Sequence, residues 1–162
     1  MQKNISRVSF ALLFGIAIVF QLVLIGADCR ETPIKVAKRF AAAYYYLDVG
    51  MQAYLCAALA EEDLVGDYLD HKEQEASQRG LSTNYLRHKL IKLHLNIVES
   101  RNDAMRIHLS GTSRVCINPA FMVVGKLFHL ARDYPVDATI ALIKEDGRWR
   151  VCGQALGLNP QA

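Results

Sequence analysis

From Val8 to Ala27 the chain runs for twenty residues without a charge, and thirteen of them are Leu, Ile, Val or Phe. Wound as a helix at ~1.5 Å rise per residue, such a run spans ~30 Å, the hydrocarbon thickness of a bilayer. Each of the thirteen side chains favours the bilayer centre by roughly 0.3–0.6 kcal/mol, which outweighs the lone amide of Gln21. The run predicts a transmembrane or signal helix, and in a chain of 162 residues it leaves room for one further domain. The expected division is a basic stretch at 1–7, the apolar helix at 8–27, a connector at 28–32, a domain at 33–155 and a tail at 156–162.

Three fates fit the apolar run: a retained anchor, a cleaved signal, or lipid attachment at Cys29. Lys3 and Arg7 precede it as a signal peptide's basic region does, but a signal's apolar stretch is usually only ~7–15 residues. The exit, Leu24 to Asp28, does not offer the small-x-small pattern of a cleavage site, and Asp28 before Cys29 departs from a bacterial lipobox. A retained single-pass anchor is therefore the leading expectation. Lys and Arg number two before the run and four just after it (Arg30, Lys35, Lys38, Arg39), which by itself favours a cytoplasmic C-terminal side. That bias loses force ahead of a long folded domain, so the domain is expected in the periplasm or outside the cell; secretion or lipoprotein anchoring is the alternative.

Beyond residue 27 there are seventeen Lys and Arg against sixteen Asp and Glu. So even a balance excludes the basic excess that a phosphate backbone requires, and nucleic acid is not an expected partner. The four cysteines, at 29, 56, 116 and 152, show no zinc-site spacing. In an oxidising compartment Cys56, Cys116 and Cys152 are candidates for disulfides, with the pairing left open.

Apolar periodicity divides the domain in two. Thr32-Pro33 reads as an N-cap with proline at the first helical position, and Val36, Phe40, Tyr44 and Leu47 continue at helical spacing until Asp48-Val49-Gly50. A second helix is predicted across Met51, Tyr54, Leu55, Ala58 and Leu59. A third follows from the acidic Glu61-Glu62-Asp63 to near Gly80, with Leu64, Tyr68 and His71 on its apolar side. The period then falls to two. Ile91, Leu93, Leu95 and Ile97 predict one strand and Met105, Ile107 and Leu109 the next, joined by a loop of three or five residues that keeps both sets on one face. Val136, Ala138, Ile140 and Leu142 form a third strand. Asp146-Gly147 turns it into a fourth, pairing Leu142 with Val151 and Lys144 with Trp149. Residues 118–134 carry no clear pattern. The sum is an α+β domain: three helices packed on a curved antiparallel sheet of about four strands.

Two stretches in this order carry a resemblance. Phe40, Tyr44, Leu47-Asp48-Val49-Gly50 and Ala53-Tyr54 look like the paired opening helices of the nuclear-transport-factor-2-like superfamily, a cystatin-like α+β cone. The run from Ile140 to Val151, with Trp149 beyond the turn, resembles its closing hairpin. The resemblance covers roughly 33–155 and implies a cone around a cavity, a plan shared by enzymes, ligand binders and assembly proteins.

No catalytic, cofactor or metal motif stands out. Enzymes resembling this fold set a His and an Asp inside the cone, whereas strict alternation turns His88, His94, His108 and Asp137 away from the apolar face. His94 and His108 fall diagonally on neighbouring strands and lack a third metal ligand. Tyr44, Tyr45 and Tyr46 sweep about 200° of helix surface, so they cannot all be core. Tyr44, Tyr45, Tyr54 and Tyr68 are the candidate pocket or interface residues. Acidic residues crowd 61–75 and basic ones 87–114, an asymmetry able to orient a partner or a second copy. The leading functional expectation is a membrane-anchored, non-enzymatic protein-interaction or assembly module, similar in plan to periplasmic components of bacterial secretion systems. An exported binder of a small apolar ligand in the cone is the alternative, and an enzyme of the same fold comes third.

Overall fold

A computed structural model of the chain describes residues 13–21, 31–116 and 132–158. The chain divides into two compact units, Met1–Glu31 and Thr32–Ala162. In the first, residues 13–21 are helical, and Leu13, Phe14, Val19 and Phe20 are each more than 60% exposed. Among the described residues no helix is long and apolar enough to cross a membrane. The rest of the Val8–Ala27 run, the 1–7 stretch and Cys29 lie outside the described residues.

The second unit is α+β. Helix α1 (Pro33–Tyr46) starts as its sequence requires: Thr32 accepts from the Lys35 N–H at 3.2 Å, and Pro33 sits where no amide donor is needed. Leu47 closes it in the left-handed region (φ 56°). The predicted second helix is instead broken into a 3-10 turn (Val49–Tyr54) and a short α2 (Ala57–Glu61). The break at Leu55-Cys56 has a tertiary cause. Leu55 bridges Val151, the Cys56 N–H donates to the Val151 carbonyl at 2.9 Å, and Cys56 is disulfide-bonded to Cys152. The segment is thereby held extended along the last strand, and Glu145 accepts from the Ala57 N–H at 3.2 Å to start α2. Helix α3 (Leu64–Gln78) begins after the acidic triplet rather than within it. It buries Val65 and Ala76 and packs Tyr68 on the core, while His71 is exposed, contrary to its predicted place on the apolar side. A 3-10 turn (Thr83–Leu86) leads into the sheet.

Four antiparallel strands follow in the order β1-β2-β3-β4: β1 (His88–Ser100), β2 (Ala104–Val115), β3 (Asp133–Glu145) and β4 (Arg148–Ala155). A three-residue loop, Arg101 to Asp103, joins the first two, one of the two lengths expected. The closing hairpin has the predicted register, Leu142 opposite Val151 and Lys144 opposite Trp149, around Asp146 and Gly147 at φ 50° and 78°. Ile107, Leu109, Ile140, Leu142 and Val151 make up the inner face, each at most 1% exposed, and meet Val36, Phe40 and Met51 from the helices.

Strand β1 departs from strict alternation. The pairing steps from Leu90–Ser113 to Lys92–Thr112, leaving Ile91 as a bulge, and a second irregularity falls at Val98. Ile91, predicted for the core, is 41% exposed; Ile97 lies at the sheet margin and is 49% exposed. On the far side of the Ile91 bulge the parity is inverted. Leu90 and His88 therefore share the inner face with Leu93 and Leu95. At the same place β1 and β2 approach so closely that a Cβ on Gly111 would stand 1.9 Å from the Lys92 carbonyl oxygen.

Candidate functional site

The inverted parity of β1 gives the sheet's inner face a polar corner. His88 pairs with Val115, Leu90 with Ser113, and Ser113 with Tyr134, so His88, Ser113 and Tyr134 lie together at one end of three strands. His88 Nδ1 lies 3.3 Å from Ser113 Oγ, and Ser113 is 2% exposed. The His88 ring stands edge-on to Tyr134 with centroids 5.2 Å apart. This corrects the expectation that His88 turns away from the apolar face. His94 and His108 do face outward and are diagonal: His94 pairs with Ser110 and His108 with Asn96. Asp137 is also outward, 81% exposed and 3.9 Å from His108 Nε2. Among the described residues no group of three or more His, Cys, Asp or Glu could hold a metal ion.

The helices supply the facing wall. Tyr44 and Tyr45 come from the last turn of α1 and Tyr68 from the second turn of α3. Tyr44 stacks on Tyr68 at 4.9 Å with 18° between planes, and Tyr45 meets Tyr44 edge-on at 5.4 Å. The Gly157 N–H donates to the Tyr44 hydroxyl at 3.2 Å, which fixes that ring against the C-terminal turn. Together with Ser113, His88 and Tyr134 these rings line a cleft of about 700 Å³. Its outer rim is an ionic triad on α3, in which Glu75 takes Lys72 and Arg79 at 2.7 Å each.

Of the four tyrosines singled out in the sequence, Tyr44, Tyr45 and Tyr68 converge here. Tyr54 does not: it lines a separate depression with Arg39, Tyr46 and Asp48. Of the cysteines, Cys56 and Cys152 are bonded, while Cys116 is a buried free thiol at the end of β2.

The electrostatics of the cleft follow from its burial. Desolvation, then the nearby Lys72, holds the His88 pKa below the ordinary 6.5, so the ring is neutral at neutral pH. Desolvation, followed by a hydrogen bond to Tyr44, pushes the Tyr68 phenol up, and desolvation also raises Tyr45. Glu75 is held below the usual carboxylate range by its hydrogen bond and charge contact with Lys72. The cleft floor is thus uncharged: ring faces, phenol hydroxyls and one neutral imidazole. A serine beside a neutral imidazole is half of a nucleophile–base pair, but such catalysis also needs a group orienting the base and donors for an oxyanion. Glu75, the carboxylate lining the cleft, is occupied by its two cations.

Sequence reasoning missed His88, Ser113 and Tyr134. The available signal was the adjacent pair Leu90-Ile91, which breaks the alternation where the bulge falls; Ile97-Val98 marks the second irregularity in the same way. No protein-family model matches the chain, and no curated protein matches it in sequence.

Proposed function

We propose that this chain is an extracytoplasmic domain, tethered by or exported through its N-terminal apolar run, that binds a small, largely apolar, ring-bearing molecule in the tyrosine-lined cleft. The observation that carries the reading is the convergence of Tyr44, Tyr45 and Tyr68 on His88, Ser113 and Tyr134 around about 700 Å³. Volumes of about 300–1,000 Å³ lined by rings with a few convergent polar groups suit drug-sized ligands. The neutral floor favours an uncharged hydrogen-bonding group on the ligand, because a buried charge there would lack a counter-charge.

The Cys56–Cys152 bond supports an oxidising compartment, and the exposed apolar side chains of residues 13–21 suit a lipid environment. Helices followed by a four-stranded antiparallel meander support reading the domain as nuclear-transport-factor-2-like. Thermal unfolding of the full chain against a panel of small aromatic compounds tests the binding reading. A ligand at a hundred times its Kd should add about 2.7 kcal/mol of stability, and Tyr68→Ala should abolish the gain. A panel without a single Tyr68-dependent stabiliser counts against it.

The second reading, a tethered protein-interaction module, rests on β1. Among the described strands it forms an edge of the sheet, and it exposes Ile97 and Val98 at 49% and 63%. Crosslinking in membranes separates the two readings: partners captured through the β1 edge, with no Tyr68-dependent ligand, favour the module.

A further inference from the structure

A second cleft, of about 590 Å³, lies between α1 and the start of β1. Ala42, Leu90, Leu93 and Cys116 give it apolar lining, and the exposed side chains of Lys38 and Lys89 also line it. No Asp or Glu is among the described residues around it, and the ion pairs among the described residues include neither lysine. Tyr46, on the same wall, is stacked by the Arg87 guanidinium, whose carbon stands 5.3 Å from its ring centroid, although Arg87 does not itself line the cleft. Apolar lining beside two lysines that have no carboxylate next to them among the described residues is the complement of a molecule with an apolar tail and an acidic head.

We propose that this cleft binds a single-chain amphiphile with an acidic head, its tail on Leu90, Leu93 and Ala42 and its head at Lys38 and Lys89. The site is distinct from the tyrosine-lined cleft, with which it shares only His88 among the described residues, and it does not depend on that reading.

The test uses the full chain in phosphatidylcholine nanodiscs, titrated with cis-parinaric acid and with its methyl ester against empty discs. The acid is expected to give saturable emission above the empty-disc baseline, with the ester at least about tenfold weaker. The double variant Lys38→Gln, Lys89→Gln should weaken acid binding by a similar factor and leave the ester unchanged, while Lys144→Gln, on β3, should behave as the native chain. Equal binding of acid and ester, an unchanged double variant, or no signal above empty discs overturns the proposal. Tyr68→Ala should retain acid binding; loss in that variant alone would place the probe in the other cleft and also overturn it. Displacement by phosphatidylglycerol in the discs assigns the acidic head to a bilayer lipid, and displacement by oleate alone assigns it to a free acid. Displacement by neither contradicts the proposal.

Discussion

His88 and Ser113 face each other across β1 and β2, with Nδ1 and Oγ 3.3 Å apart, because one residue between them and the strand centre, Ile91, is bulged out of the ladder. Without that bulge the imidazole would stand on the solvent face, as His94 does. A one-residue irregularity thus converts a surface histidine into the polar post of an aromatic cleft.

The burial of His88 has a pH signature. Its folded pKa is depressed below 6.5, so on acidification the unfolded chain takes up the proton first. The stability this group contributes is present above about 6.5 and is lost as pH falls from there through the folded pKa. Glu75, also depressed, gives up its contribution only below about 4.5 and does not act in this window. The groups facing His88 are Lys72 of α3, Ser113 and Tyr134. Denaturant unfolding should therefore show stability falling as pH drops below about 6.5, with the slope flattened in His88→Gln and kept in His94→Gln.

Position 91 distinguishes a bulge from an alternating strand. Ile91→Lys places a charge on a residue already 41% exposed and should change stability by no more than about 0.5 kcal/mol. Ile107→Ala, at a fully buried position on the neighbouring strand, should cost about 2–5 kcal/mol. A large loss at Ile91 would show that the residue packs inward.

Gly111 is held to its identity by backbone proximity, because its missing Cβ would overlap the Lys92 carbonyl. Gly111→Ala should cost near the upper end of about 1–3 kcal/mol, by pushing β1 and β2 apart beside the bulge. Chemical denaturation reads the loss. A neutral outcome would mean that the strands are further apart than described.

The Cys56–Cys152 bond spans 96 residues and ties the Leu55-Cys56 segment to β4. Closing so long a loop in the unfolded chain should stabilise the fold by about 4 kcal/mol. The double variant Cys56→Ala, Cys152→Ala should lose most of that in denaturant unfolding, and a reducing agent should then have no further effect on it. A native chain insensitive to reduction would contradict this.

Much of the fold could be read from the sequence where local signals agree with tertiary packing. Thr32-Pro33 set the start of α1, and Asp146-Gly147 set the last hairpin and its register. The signals failed where distant contacts decide. Leu55 and Cys56 continue a helical pattern but are drawn straight by Val151 and Cys152, which are about a hundred residues away. The site was half legible. Tyr44 and Tyr45 stood out because three consecutive tyrosines cannot all face the core, and Tyr68 and Tyr54 as rings able to line a pocket; Tyr68 joins the first two, while Tyr54 lines a separate depression. His88 was hidden because period-two reasoning carries one error of parity to every residue of β1 beyond the bulge, whereas Ser113 keeps the parity of Ile107 and Leu109 and Tyr134 fell in the stretch 118–134 that carried no clear pattern.

The central claim is that the tyrosine-lined cleft holds a ligand. The direct measurement is NMR of the full chain with isotope-labelled tyrosine and histidine rings, titrated with a library of small aromatic compounds. The account expects at least one compound to shift the resonances of Tyr44, Tyr45, Tyr68 and His88 together, saturably, with the response lost in Tyr68→Ala. If no compound moves these rings as a group, or if binding perturbs only the β1 edge, the cleft is not the functional site.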